Sequence, residues 1–396
     1  MKAPALHARL RGFTLVELLV AVAIALGVTL AITLTLIRSE SSRRTLTAAN
    51  DTAGNAAYLS FTLDRLLRSA GSGLTQAWRQ GYGCPLQATR AGLGTILPRA
   101  TAYPAPFASV TQTLRLAPLV VHAGVGNGGS DVLIVQSGAA GLSEAPMQVL
   151  PNSSTGSSLR LLVTLGLEAQ DLMLLVQDND INDAPQACVL QQVATGFSGG
   201  ADQQLPLGGT YAAATVGSVV MSSLATDQRA WALPLGNATT NRPSFVLLGV
   251  SAQRTLVAYD LLRLDGTNTV LPLADGVVDL RARYGVDTDD NGTVDAWVSP
   301  AAAGWTAATL FNGSVASRTS LSRILSVRVA LVLRDTVQQT SGGQVVNITP
   351  ASLTLFNDLP AALQATHNVT TANRPLRHQI VEFTVPLRNA MLTQRP

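Results

Sequence analysis

Lysine is all but missing from this chain: Lys2 is the only one in 396 residues, so the cations are arginines with a few histidines. Charge is sparse throughout. Asp, Glu, Lys and Arg together make 13% of the residues against 47% apolar ones, so a sizeable core is easily filled. The four histidines, His7, His122, His367 and His378, are scattered and show no zinc-ligand spacing. Cysteine is limited to Cys84 and Cys188. There is no internal repeat and no clear linker. At this length the chain has room for two ordinary domains, or for one large β-rich domain with a long helix.

What the chain does have is one long uncharged run, residues 18–37, about the ~20 residues that a membrane-spanning helix needs. Lys2, Arg9 and Arg11 precede it with no acid among them, and Arg38, Glu40, Arg43 and Arg44 follow it. A secretory signal peptide has a shorter apolar core with small residues at a cleavage site behind it. A simple anchor accounts for the hydrophobicity but not for Gly12 or for Glu17, an acid in the apolar segment. An intramembrane carboxylate is costly and therefore points to function.

The run Arg11-Gly12-Phe13-Thr14-Leu15-Val16-Glu17 closely resembles the processing site of the type IV pilin family. The resemblance implies that a prepilin peptidase cuts between Gly12 and Phe13 and methylates the new amino terminus, which makes Glu17 the fifth mature residue. A new ammonium on Phe13 and the Glu17 carboxylate of a neighbouring subunit would then neutralise each other in a helical bundle. Glu17 also sits where the helix dipole favours an anion. Loss of residues 1–12 takes three of the 27 basic residues and none of the 24 acids, leaving equal numbers. Net neutrality argues against a nucleic-acid partner. The leader cations favour a cytoplasmic amino terminus, Arg38, Arg43 and Arg44 partly offset that bias, and the pilin resemblance implies that the rest crosses the bacterial inner membrane. In that oxidising compartment Cys84 and Cys188 read as a disulfide, the alternative being two unrelated buried thiols.

Past the membrane the helix is expected to continue to Gly71, a natural C-terminal stop, with an apolar stripe of Leu59, Leu63, Leu66 and Ala70. Asn50, Asp51, Gly54 and Asn55 mark a place where it would bend or melt. The remainder alternates apolar and polar residues in the manner of half-buried antiparallel strands, most clearly over 325–334, 278–284 and 381–388. Shorter candidates lie at 131–136, 160–165, 172–177, 188–193, 245–248 and 256–264, with Ser-, Gly- and Asn-rich loops at 152–158 and 199–209. The expected fold is α+β: a leader (1–12), a pilin helix (13–71) spanning the membrane over about 14–37, and a β-rich head (72–396) of one sheet or two fused sheets.

Further blocks narrow the resemblance. Leu63-Asp64-Arg65-Leu66-Leu67-Arg68-Ser69-Ala70-Gly71, Gly81-Tyr82-Gly83-Cys84, Ser130-Asp131-Val132-Leu133, Tyr284-Gly285-Val286-Asp287 and Thr384-Val385-Pro386-Leu387-Arg388-Asn389 look like PilW-type minor pilins, in that order along the chain. The resemblance implies a non-enzymatic, low-abundance pilin that joins other minor pilins and the major pilin in priming pilus assembly, with a PilY-type tip adhesin as a further partner. The protein would wait in the inner membrane and end in the pilus at the cell surface. The alternatives are a J-type pseudopilin of type II secretion or competence, a membrane-tethered calcium-dependent adhesion module, and an anchored periplasmic hydrolase.

Calcium enters through Asp287-Thr288-Asp289-Asp290-Asn291-Gly292-Thr293-Val294-Asp295. Oxygens of Asp287, Asp289, Asn291 and Asp295 stand at positions 1, 3, 5 and 9 of an EF-hand-type loop, with glycine at 6, so a weak calcium site is one of two readings and no cofactor is required. Val298 replaces the usual bidentate Glu, and a polar hairpin turn is the alternative. A second acidic group (Asp178, Asp180, Asn182, Asp183) lacks the glycine. Gly196-Phe197-Ser198-Gly199-Gly200 has the spacing of a nucleophile elbow, and Gly124, Gly126 and Gly129 that of a dinucleotide loop. Neither is followed by a helix pattern, which both chemistries require.

Overall fold

The computed structural model describes residues 14–141, 145–177, 186–199, 203–226, 229–341 and 344–392. Two compact units divide at residues 51 and 52, inside the first helix, α1 (Leu15–Ser69). Every side chain described between residues 15 and 37 is exposed and all but Glu17 are uncharged, so the helix is apolar all round. Its threonines need no water, because Thr29, Thr33 and Thr35 donate their hydroxyls to the carbonyls of Ala25, Thr29 and Ala31. By length and composition α1 is able to cross a membrane.

The expected break at residues 50–55 does not occur; α1 runs through it. The polar residues there are used by the head: Thr52 donates its hydroxyl to Asp335, and Asn55 donates to the Asp275 carbonyl at 3.4 Å. The second compact unit therefore begins at Thr52 and takes in the later turns of α1. The buried stripe is Ala56, Leu59, Leu63, Leu67 and Ala70, with Leu66 only half-buried. Sequence spacing could not choose between adjacent leucines that both fall within a helical repeat of Leu63. Gly71 ends the helix as expected, at φ +80°. The last carbonyls are covered from the far end of the chain, where Asn389 Nδ2 lies 3.2–3.4 Å from those of Arg68, Ser69 and Ala70.

The head strands are β1 (Leu86–Arg90), β2 (Gly94–Leu97), β3 (Leu119–His122), β4 (Val132–Ser137), β5 (Met147–Val149), β6 (Asp171–Gln177), β7 (Cys188–Gln192), β8 (Ala230–Asn237), β9 (Ser244–Val250), β10 (Thr255–Asp260), β11 (Leu271–Asp275), β12 (Val277–Val286), β13 (Ala296–Val298), β14 (Ile324–Gln338) and β15 (Leu376–Pro386), besides short two-stranded ribbons. They form three larger sheets rather than one or two: six strands in the order β2-β1-β7-β6-β8-β5, five as β11-β10-β9-β4-β3, and four as β13-β12-β14-β15. One core joins them to the helix. Leu59, Leu63 and Leu67 belong to the same buried cluster as Leu174 and Leu233 of the first sheet, Leu133 and Leu247 of the second, and Leu280 and Val329 of the third.

Several strands are buried on both faces. In β6, Leu172, Leu174 and Val176 enter the main core, while Met173 and Leu175 enter a second cluster with Val189, Ala230 and Ala232. That explains an apolar run without alternation. In β12 the polar face is covered too, against expectation: Asp279 and Arg283 are buried. Asp279 meets His367 Nδ1 at 2.9 Å, and Arg283 donates to the carbonyls of Leu363 and Gln364. The expected strand at 160–165 shrinks to Ser158–Arg160, with Leu162, Val163 and Leu165 exposed.

Candidate functional site

Gly12 and Phe13, the expected processing residues, lie outside the described residues, as does the acidic group at 178–183. Glu17 stands in the first turn of α1, exposed. Its carboxylate accepts from the Thr14 N–H at 2.9 Å and the Thr14 hydroxyl at 3.0 Å, while Glu17 N–H donates back to the Thr14 hydroxyl at 3.3 Å. This is a reciprocal capping box that satisfies two of the free donors at a helix start. The Thr14-x-x-Glu17 spacing announces it, and the reading of Glu17 as an assembly charge overlooked it. The carboxylate therefore has two available tasks: closing its own helix and meeting a cation from outside.

Cys84 and Cys188 form the disulfide, with Cα atoms 5.6 Å apart across a sequence separation of 104. Both are fully buried in the main core. The bridge lies where β1 meets β7, the one parallel pairing among the described strands, with Leu86 opposite Cys188 and Gln87 opposite Val189. Parallel neighbours need a long crossover, so no turn sets their register. The disulfide ties the two strands together at that pairing.

The Asp287 loop joins β12 to β13, whose residues Val286 and Ala296 are paired. Asp287 is buried and accepts from the N–H groups of Asn291 (3.1 Å) and Gly292 (2.7 Å). Gly292 has φ +84°, the sharp turn asked of the sixth position in such a loop. Asp289 accepts from the Asn291 N–H at 3.3 Å, and Asp295 from the Thr288 N–H at 3.0 Å. That backbone bond holds the Asp295 carboxyl below the usual carboxylate range. One carboxylate oxygen from each of Asp287, Asp289 and Asp295 lies within 4.8 Å of the others, a spacing that suits a hard cation. Asn291, the fourth expected ligand, turns its oxygen to Thr293 N–H at 2.8 Å. Asp290 faces Arg323, which holds it at 2.6 Å.

Two residues from the sequence blocks turn out to be joints between sheets. Asp131 accepts from the N–H groups of Gly124 and Ala282, both at 2.9 Å, and its own N–H donates to the Leu280 carbonyl. Burial raises its pKa, and those two hydrogen bonds and Arg281 oppose the rise. Tyr284 accepts from the Val121 N–H at 2.5 Å. Together they fasten β12 to the second sheet. Their function needed partners more than 100 positions away, so spacing gave no signal. Ser198 is exposed in a loop after β7, with no helix described behind it. Gly124, Gly126 and Gly129 lead into β4, a strand, so no helix N-terminus faces that loop.

Residues 245–389 match the family model of Type IV Pilus-assembly protein W, PilW. The matched stretch runs from β9 to Asn389 and takes in the third sheet and the Asp287 loop, but not Glu17 or the cysteines. No curated protein and no solved structure matches the chain. The match supports reading this chain as a protein associated with type IV pilus assembly.

Proposed function

We propose that the chain is a minor pilin that is cut between Gly12 and Phe13, waits in the inner membrane through the first half of α1, and helps prime a pilus without performing catalysis. The observation that carries this is α1 itself. Its first 23 residues offer apolar surface and one charge, Glu17, while its last turns are built into a disulfide-locked head. A helix of that kind exchanges lipid for the helices of other pilins and keeps its surface dry throughout. Glu17 would supply the register by meeting a neighbour's terminal ammonium. The other minor pilins, the major pilin and a PilY-type adhesin are the proposed company of the head.

Glu17→Gln tests this. The amide oxygen keeps an acceptor for the Thr14 N–H, and Gln is itself a capping-box residue, so the helix start survives while the charge is lost. Glu17→Gln should insert in the membrane and be missing from sheared pili, as Glu17→Ala should be. Normal recovery of Glu17→Gln beside loss of Glu17→Ala would reduce Glu17 to a helix cap. A clean deletion scored for pili and for secreted exoproteins separates the pseudopilin alternative: intact pili with blocked secretion would favour it. Gly12→Ala should leave a slower-migrating precursor.

A second proposal rests on the three carboxylates of the Asp287 loop: they take calcium weakly, with Asn291 rotating to join them, and so stiffen the β12–β13 turn. An adhesion module would go further, with surface binding by the protein depending on calcium.

A further inference from the structure

A cavity of about 580 Å³ opens in the head between residues 111–115, the loop after β3, and the short helix Ala307–Leu310. Its size falls in the range of small-molecule sites, roughly 300–1,000 Å³. Thr111, Thr113 and Arg115 line it from one bent segment, while Leu114 and Leu116 turn into the core. Arg115 Nη1 donates to the Gly83 carbonyl at 2.5 Å, its one side-chain hydrogen bond among the described residues, and no described carboxylate pairs with it. His122 also lines the cavity. Its Nε2 is buried and has no hydrogen-bond partner among the described residues, and its ring tilts against Phe311 with centroids 6.3 Å apart. Phe311, Val125 and Pro300 supply apolar wall.

We propose that this cavity binds a small carboxylate carried on an apolar body. The fork of Arg115 matches a carboxylate, the threonine hydroxyls add hydrogen-bonding capacity, and the wall beside Phe311 and the His122 ring takes the body. The lining holds one arginine and no acid, too little cationic charge for a phosphate-sized dianion and nothing to attract a cation. Burial lowers the pKa of Arg115 and of His122, so a bound anion would restore to the guanidinium what desolvation takes from it. The carboxylate can come from a free acid or from the C-terminus of a peptide, which share this chemistry.

The test uses the full chain in detergent micelles, with binding followed by saturation-transfer NMR. The probes are 3-phenylpropionate, its amide, and a tripeptide ending in phenylalanine with a free or an amidated C-terminus. At least one acid should bind at millimolar concentration, its amide about tenfold more weakly. Arg115→Gln should lose the acid to the same degree and Arg115→Lys should keep part of it. Because Arg115 also holds the Gly83 carbonyl, Ala308→Trp at the exposed rim provides a second block that leaves Arg115 intact, and it should abolish binding. Saturation by the free acid alone marks a metabolite-type ligand, and by the peptide alone a chain terminus; both uphold the site. Equal binding of acid and amide, wild-type binding by folded Arg115→Gln, or no acid binding at millimolar concentration would overturn it.

Discussion

Replacing both cysteines with alanine (Cys84→Ala with Cys188→Ala) isolates what the disulfide contributes. The bridge closes a segment whose ends are 104 positions apart, a segment that contains β1 to β6. For a loop of that length the chain-entropy account assigns about 4.7 kcal/mol, because the unfolded chain regains the freedom that the link removed. Each sulfur is fully buried in the main core, so its removal adds on the order of 1 kcal/mol of lost burial. The sum is ~7 kcal/mol, comparable with the whole stability of many domains, ~5–15 kcal/mol. Urea unfolding of the full chain in detergent, followed by tryptophan fluorescence, should therefore show a much lower midpoint. The denaturant slope should rise, since an unlinked chain exposes more surface. A loss below about 2 kcal/mol with an unchanged slope would refute the reasoning. It would mean that the β1–β7 register is held by the sheet and that the bridge is incidental.

Gly71→Ala should cost ~1–3 kcal/mol, because a side chain at φ +80° is strained and its Cβ would lie 2.8 Å from Thr75 Cγ2; an unchanged melting midpoint would refute it. His122 is half-buried with its Nε2 enclosed, and desolvation pushes its pKa down to about 4, so between its ordinary 6.5 and that value the unfolded chain binds the extra proton and stability falls as the pH is lowered. The loss is absent above the unfolded pKa and reaches ~3 kcal/mol once pH drops below the folded one; His122→Gln should flatten that part of the profile relative to wild type. Calcium at about ten times a millimolar Kd should stabilise the head by roughly 1.4 kcal/mol, and Asp289→Ala should remove the shift; no calcium-dependent change in melting would end the proposal for that loop.

Elements whose reason for existing is local were legible in the sequence. The uncharged run, the Gly71 stop and the alternation over 325–334 each follow from propensity and period within a few residues, and the structure contains all three as α1, its end, and part of β14. The Thr14-Glu17 box was equally local and went unread. Wherever a residue's role depends on what covers it, the sequence was silent. Val332 looks like the outer side of an alternating strand, yet it is buried, in a cluster with Phe356 and Leu355. Asp279 and Arg283 read as solvated and are buried for the same reason, since residues 363–367 fold over them. The helix patch at 50–55 reads as a weak point until Asp335 and Asp275 meet it.

The sequence alone determined that a long apolar helix precedes a β-rich body, that one acid marks the helix start, and that two cysteines were available to pair. Those are statements about composition and short-range period. Only the tertiary structure decided that the head has three sheets about one core, that the disulfide lies at a parallel pairing, and that Arg115 and His122 line one cavity. Each of these brings together residues separated by chain of no informative pattern. Burial and pairing between such residues are properties of the folded surface that encloses them, and no segment carries them by itself.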